Sequence, residues 1–206
     1  MKNTLVIHGH FYQPPREDPW TGLIPYQESA SPAHDWNERI NRECYAANSM
    51  SRTLNAFGLI TDMVNNYRYI SFNFGPTLLN WLKSNAFYVY EDIIEADRRS
   101  REMNDGHGNA IAQAYNHTIL PLCSPEDAKT QITWGLADFE AHFGRKSEGI
   151  WLPETAVNLQ VVDMLIEAGV HYVEVQVDDV MKIRYPLIVS YNPPASKQSG
   201  ESDAGQ

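Results

Sequence analysis

The fold is predicted most clearly by residues 149–175, which read GIWLPETAVNLQVVDMLIEAGVHYVEV. A short apolar run over 149–152 is followed by an amphipathic stretch over 158–167. Gly169 ends that stretch, and a second apolar run follows over 170–175. Short apolar runs on either side of a helical pattern indicate a strand, a helix and another strand. Such a unit joins parallel strands through a right-handed crossover.

The same alternation continues towards the N-terminus. Strands are predicted at 5–8, 69–74 and 109–115, and helices at 37–57, 76–82, 87–103 and 124–143. The first strand is followed by a long loop over 9–35 with five prolines. Alternating strands and helices predict an α/β fold with parallel strands. Since a complete eight-stranded barrel takes about 250 residues, the sequence indicates an open sheet or part of a larger barrel.

Composition limits the classes of partner. The chain has 206 residues, a formal net charge of −10 and a pI of about 5.1. An acidic surface repels phosphate backbones and anionic lipid heads, so nucleic acid and membrane are not expected partners. The sequence shows neither a signal-peptide core nor an apolar run of membrane-spanning length, and its two cysteines are far apart. We therefore expect a cytoplasmic protein, with one folded region over 1–192 and a disordered polar tail over 193–206.

Polar and aromatic side chains cluster where the predicted strands end. They are His8, His10, Asn73, Tyr115, Asn116, His117, Trp151 and Glu154. In barrels and open parallel sheets, ligands bind at the carboxyl ends of the strands. Four separate segments therefore direct polar groups to one face, and this face is the predicted site.

Residue types alone leave the chemistry of this site open. The pair His8 and His10 fits a solvated or core pair, a metal site, or neutral hydrogen bonding to a polar ligand beside aromatic residues. Glu154, held between Pro153 and a helix, fits a nucleophile or general base. It equally fits an acidic residue that complements the dipole of the following helix.

Together, four motifs carry a family resemblance. They are HGHFYQPP from His8, YNHTILPL from Tyr115, FGRK from Phe143 and GIWLPETA from Gly149. Over residues 3–172 the chain resembles glycoside hydrolase family 57, whose members act on α-glucans as amylases, branching enzymes and glucanotransferases. The resemblance implies an incomplete (β/α)7-type barrel, similar to a TIM barrel, and a chain that is the N-terminal part of a longer enzyme.

The resemblance also implies roles for individual residues. A retaining mechanism uses two carboxylates, and Glu154 matches the family's nucleophile. The implied substrate-binding residues are His8, His10, Tyr12, Asn73, His117 and Trp151, with the histidines bonding sugar hydroxyls and the aromatic rings stacking on sugars. The implied substrate is an α-glucan or oligosaccharide. The mechanism requires no cofactor and no metal.

The family's general acid is an Asp on a later strand, and its motif is not found in this sequence. Asp178 and Asp179 follow the fifth predicted strand, but their surroundings do not match that motif. We therefore expect the chain to be inactive by itself. Two other functions stay open: a metal-dependent hydrolase or deacetylase using His8, His10 and His117, and a carbohydrate-binding remnant without catalysis. The sequence does not choose between hydrolysis and transfer, and it does not indicate an oligomeric state.

Overall fold

A computed structural model describes residues 5–176 and 188–190 of the chain. Asp178, Asp179 and the predicted tail over 193–206 lie outside the described residues. The strands are β1 (His8–Phe11), β2 (Ser51–Leu54), β3 (Ile60–Val64), β4 (Ser71–Phe74), β5 (Ala112–Gln113), β6 (Gly149–Trp151), β7 (Tyr172–Gln176) and β8 (Ile188–Ser190).

The helices lie between the strands, as the alternation predicts. They are α1 (Trp36–Ile40), which continues through a π-helical turn (Asn41–Tyr45) into α2 (Ala46–Ser49), and then α3 (Pro76–Asn85), α4 (Phe87–Met103), α5 (Pro125–Phe143) and α6 (Leu159–Glu167). Every helix in the described part of the chain is too short or too polar to cross a bilayer.

The strands other than β2 and β3 run parallel. β1 pairs with β4, and β5, β6, β7 and β8 pair in that order. A single bridge between Phe72 and Ala110 places β4 next to the start of β5. The predicted α/β fold with parallel strands is confirmed. Among the described residues the strands form an open series, because no ladder joins β8 to β1.

Helix α5 packs closely against β5 because it carries a glycine at the contact. A β-carbon on Gly135 would overlap the carbonyl oxygen of Gln113. The helix has the predicted ends. Ser124 accepts a hydrogen bond from the backbone N–H of Asp127, and Gly144 adopts the left-handed conformation at the C-terminus. The close approach of α5 to β5 at Gly135 fixes the position of Gln113, a residue of the site described below.

A buried ion pair joins the elements at the amino ends of the central strands. Asp97 of α4 accepts two bonds from the guanidinium of Arg145, at 2.7 and 2.9 Å. The same two side chains bind the backbone of Ala110, Asp97 at its N–H and Arg145 at its carbonyl. Gly108 passes so close that a β-carbon there would overlap both side chains. The pair therefore anchors the chain just before β5.

One predicted helix is too long. The prediction over 37–57 is wrong beyond Ser49, because residues 51–64 form the antiparallel hairpin of β2 and β3. The turn signal is present in the sequence. The Asn55 side chain accepts from two backbone N–H groups of the turn, and Gly58 has φ +76°. The apolar residues of this segment fit helical spacing, but in the hairpin they are mostly exposed.

The first strand begins later than predicted. Leu5, Val6 and Ile7 are all exposed, and β1 begins at His8, where pairing with Ser71 starts. The apolar run was expected to be a buried strand. In the described part of the chain nothing packs over these three side chains, so their hydrophobic character did not decide the strand. The consequence is that His8 and His10 lie within β1 rather than after it.

Candidate active site

The site is built on the pairing of β1 with β4. His8 lies opposite Ser71 and His10 opposite Asn73. Side chains two residues apart in a strand point to the same face, so the pairing places all four groups together. His8 bonds Ser71 and Asn73, with its Nδ1 2.9 Å from the Ser71 hydroxyl and its Nε2 3.0 Å from the Asn73 Oδ1.

Asn73 is the centre of this arrangement and is fully buried. Besides His8, its amide group bonds Nδ1 of His10 and, at 2.6 Å, Oε1 of Gln113. Gln113 ends β5 and is 2% exposed. The amide of Asn73 is thus bonded to His8, His10 and Gln113, and its predicted contact with substrate stays a prediction. Gln113 was not among the predicted site residues, because it lies inside the strand predicted over 109–115 and ends the strand only in the structure.

His10 meets His117 at the surface of the site. Their Nε2 atoms are 3.0 Å apart, and the ring of Tyr12 stacks on His117 at a centroid distance of 4.1 Å. Desolvation by these neighbours lowers the pKa of His10 to about 4, and the nearby His117 and His8 add to the lowering. Burial also lowers the pKa of His8 and of His117. The three imidazoles are therefore neutral at pH 7.

Trp151 covers the histidines from β6. Its ring stacks on His10 at 4.5 Å and on His8 at 5.5 Å, with planes 15° and 4° apart. One face of the indole is thus occupied by protein. Its predicted stacking on a sugar stays a prediction. The indole N–H is buried and has no partner among the described residues.

Glu154 is held on a strained turn between β6 and α6. The turn spans residues 153–155 and begins at buried Pro153. Glu154 and Thr155 in this turn have φ values of 56° and 54°. His117 has the same left-handed conformation, with φ 56°. Non-glycine residues rarely adopt it, and such strain concentrates at functional sites. The carboxylate is exposed, and its charge opposes the lowering of the His117 pKa.

Glu154 does not belong to the first turn of α6. That helix begins at Leu159 and is capped by Asn158, whose side chain accepts from the N–H of Val161. Three residues, 155–157, separate Glu154 from this cap. The alternative in which Glu154 only complements a helix dipole is therefore not supported by its position.

A further carboxylate, Glu174, was missed by the sequence analysis. It lies on β7 opposite Trp151 and is 3% exposed, with Oε1 3.3 Å from Nδ1 of His8. Burial raises the pKa of the Glu174 carboxyl to about 7, and its Oε2 is buried without a hydrogen-bond partner in the described part of the chain. An acid between two valines of a buried strand is a signal that could have identified it.

The histidine nitrogens are arranged for hydrogen bonding rather than for a shared metal ion. Both nitrogens of His8 are bonded to neighbouring side chains, and His10 and His117 bond each other. Within residues 5–176 and 188–190, no group of three or more His, Cys, Asp or Glu side chains is placed to hold a metal. The metal-dependent alternative is not favoured by this geometry.

Comparison with known proteins agrees with the motifs. The family model of glycosyl hydrolase family 57 matches residues 4–197. A 1,4-alpha-glucan branching enzyme from Thermococcus kodakarensis is 40% identical over 83 residues, which are 38% of this chain and 12% of that enzyme.

Two solved structures show the same fold. The 4-alpha-glucanotransferase from Thermococcus litoralis matches with a TM-score of 0.55 and 19% identity, over 83% of this chain and 22% of that one. The branching enzyme from Thermococcus kodakarensis matches with a TM-score of 0.54 and 24% identity, over 85% and 40%. This chain thus spans less than half the length of each of these relatives.

Proposed function

The chain belongs to glycosyl hydrolase family 57, and from this membership we propose that it forms the catalytic region of a retaining enzyme acting on α-glucans. The relatives it resembles are named for branching, transfer and hydrolysis of such glucans. The observation that carries the proposal is the position of Glu154, which is exposed on a strained turn and close enough to His117 for its charge to affect the pKa of that histidine.

Glu154 is proposed as the nucleophile. Its carboxylate forms a bond to the anomeric carbon while the leaving group departs with its electron pair, giving a glycosyl-enzyme. The left-handed turn after β6 fixes the direction of the side chain, which lowers the entropy lost on attack. His10 and His117 are proposed to bond sugar hydroxyls, and Tyr12 to stack on a sugar ring.

The second step of a retaining mechanism needs another carboxylate about 5 Å from the first. Glu174 on the neighbouring strand is buried against His8 and has a raised pKa, so its geometry suits a structural acid rather than a shuttle to solvent. Asp178 and Asp179 lie outside the described residues. Because the family's general-acid motif is not found in this sequence, we propose that the 206 residues alone do not cleave unactivated glucans.

The test uses a substrate whose leaving group needs no protonation. An α-maltosyl fluoride with fluorine at C5 of the reacting ring loses fluoride on attack and leaves a slowly hydrolysed adduct. We expect mass spectrometry to find the fluorinated maltosyl adduct on the peptide that contains Glu154. Glu154→Gln should reduce adduct formation by roughly 1,000-fold or more, because the attacking oxyanion is lost.

The matched control is Glu167→Gln, the same change on the exposed end of α6. It should leave labelling within two-fold of the unaltered chain, on the order of 0.4 kcal/mol of barrier. An adduct on a different residue, or equal labelling of Glu154→Gln, would contradict the assignment. Binding of maltoheptaose with no adduct would favour the carbohydrate-binding remnant instead.

A further inference from the structure

We propose that Asn73 and Gln113 are positioning residues that fix the protons of the site histidines, so that Nε2 of His10 donates and Nε2 of His117 accepts. The proposal rests on the proposed function in one respect, since it assigns which sugar groups this pair recognises. The proton positions themselves follow from the hydrogen-bond partners of Asn73, Gln113 and the histidines.

A backbone carbonyl determines which atoms donate and which accept in the hydrogen bonds that join Gln113, Asn73 and the histidines. The side-chain Nε2 of Gln113 lies 3.5 Å from the carbonyl oxygen of Ala114. A carbonyl only accepts, so this end of the Gln113 amide is its NH2 group. The other end, Oε1, then faces Asn73 at 2.6 Å, and the Asn73 atom that donates to it is Nδ2.

The orientation of Asn73 fixes the protons on both histidines of β1. Its Oδ1 is 3.0 Å from Nε2 of His8, so His8 carries its hydrogen there. The hydroxyl of Ser71 then donates to the free Nδ1 of His8 at 2.9 Å. Oε1 of Glu174 is 3.3 Å from the same nitrogen, and the raised pKa of this carboxyl, about 7, favours its protonated form, which does not repel the lone pair on Nδ1. The second Nδ2 hydrogen of Asn73 points to Nδ1 of His10 at 2.9 Å, which makes that nitrogen an acceptor.

The opposite arrangement at His10 is less favourable. Oδ1 of Asn73 lies 3.2 Å from the same Nδ1, so a hydrogen on His10 Nδ1 would also find an acceptor. However, it would leave one Nδ2 hydrogen of Asn73 without a partner in a fully buried group. An unsatisfied buried donor costs about 1–3 kcal/mol. The hydrogen of neutral His10 therefore lies on Nε2.

This series of hydrogen bonds ends at His10 and His117, at the surface of the site. His10 donates from Nε2 to Nε2 of His117 at 3.0 Å, so His117 accepts there and carries its hydrogen on Nδ1. The low pKa of His10, about 4, keeps it neutral through the range in which a free histidine titrates. The pair thus offers one donor and one acceptor side by side.

This arrangement matches a neutral group that both donates and accepts a hydrogen bond, as a hydroxyl does. A single sugar hydroxyl can replace the contact between the histidines, accepting from His10 and donating to His117. A carboxylate or phosphate ester satisfies the donor but has no hydrogen for His117, and an ammonium group has no lone pair for His10. The positioning residues therefore make the site selective for neutral hydroxylated ligands.

The test is nitrogen-detected NMR of the full chain labelled with 15N-histidine, with His10→Gln used to assign the His10 signals. At pH 7 we expect Nε2–H for His8 and His10 and Nδ1–H for His117. In Asn73→Asp, a carboxylate that only accepts faces His10. We expect the hydrogen of His10 to move to Nδ1 and its titration midpoint to rise by at least two pH units.

The matched control is Asn80→Asp, the same change at an exposed position of α3, which should leave all three tautomers unchanged. Gln113→Met removes the anchoring amide and should give a mixture of both His10 tautomers, so it provides the test if Asn73→Asp does not fold. Wild-type His10 with its hydrogen on Nδ1, or one unchanged tautomer in both variants, would overturn the proposal. Because no sugar is used, this result is independent of adduct formation on Glu154.

Discussion

At the amino ends of the central strands the elements are joined by charge, through Asp97 and Arg145, whereas at the carboxyl ends they are joined by neutral amides and imidazoles. The ion pair has bidentate geometry and binds the backbone on both sides of Ala110. Among the described residues, the carboxyl end holds three of the four left-handed non-glycine residues, namely His117, Glu154 and Thr155, and buried polar atoms without partners such as Oε2 of Glu174.

The difference indicates which end supports the fold and which end is available for chemistry. A buried pair whose bonds are satisfied contributes rigidity, and its removal is costly. Strained residues and unsatisfied groups destabilise the fold and persist where function selects for them. The predictions below test this division, beginning with the largest expected effect.

The first prediction concerns the amino end. Asp97→Ala leaves the mostly buried Arg145 guanidinium without its partner and should lower the free energy of unfolding by about 3–5 kcal/mol. Urea denaturation followed by circular dichroism measures the change. The control is Glu102→Gln on the exposed side of the same helix, where surface ion pairs contribute little and the change should stay within about 0.5 kcal/mol. A loss below 1 kcal/mol for Asp97→Ala would remove the contrast between the two ends.

The second prediction concerns Glu174, which faces His8 and Ser71 at the carboxyl end. Its pKa is raised from 4.5 to about 7 by burial, so the folded state binds more protons than the unfolded state between these values. The contribution of Glu174 to the free energy of unfolding should therefore fall as the pH rises from about 4.5 to 7, by an amount on the order of 1–3 kcal/mol. The site histidines contribute in the opposite direction, because their lowered pKa values make stability rise with pH.

Glu174→Gln removes this titration while keeping the shape of the side chain. Urea denaturation at several pH values should show Glu174→Gln gaining stability relative to the unaltered chain by that amount as the pH rises from about 4.5 to 7, whereas Glu167→Gln should follow the unaltered chain. If Glu174→Gln keeps the same pH dependence between pH 4.5 and 7, the acid is not the buried group that we describe.

The third prediction concerns strain at Glu154, where φ is 56°. Glycine adopts this conformation without the clash that a β-carbon makes, but it loses more entropy on folding. Relief of this clash should outweigh the entropy loss, so that Glu154→Gly has a free energy of unfolding about 0.5–1 kcal/mol higher than the unaltered chain. Adduct formation should be abolished. Asp105→Gly, at φ 53° in the exposed turn after α4, provides the comparison outside the site. Destabilisation by Glu154→Gly would mean that the side chain supports the turn.

Several elements could be predicted because local signals were sufficient. Helix α4 has the bounds that its amphipathic pattern predicted, and α5 begins and ends at the predicted cap residues. The resemblance to glycoside hydrolase family 57 is confirmed by the family match over residues 4–197. The hairpin over 51–64 was missed because its apolar residues also satisfy helical spacing, and short runs do not separate the two periods.

The sequence by itself determined the alternation of strands and helices, the family and the face on which polar residues gather, because each depends on short-range patterns or motifs. Only the tertiary structure decided how those residues bond. The contact between Asn73 and Gln113 joins strands 40 residues apart, and Glu174 acts on His8 across the sheet. Strand register and the close approach of α5 at Gly135 place these groups within hydrogen-bond distance. A hydrogen bond requires donor and acceptor atoms within about 3.5 Å, and spacing along the chain does not specify distances of that kind between separate strands.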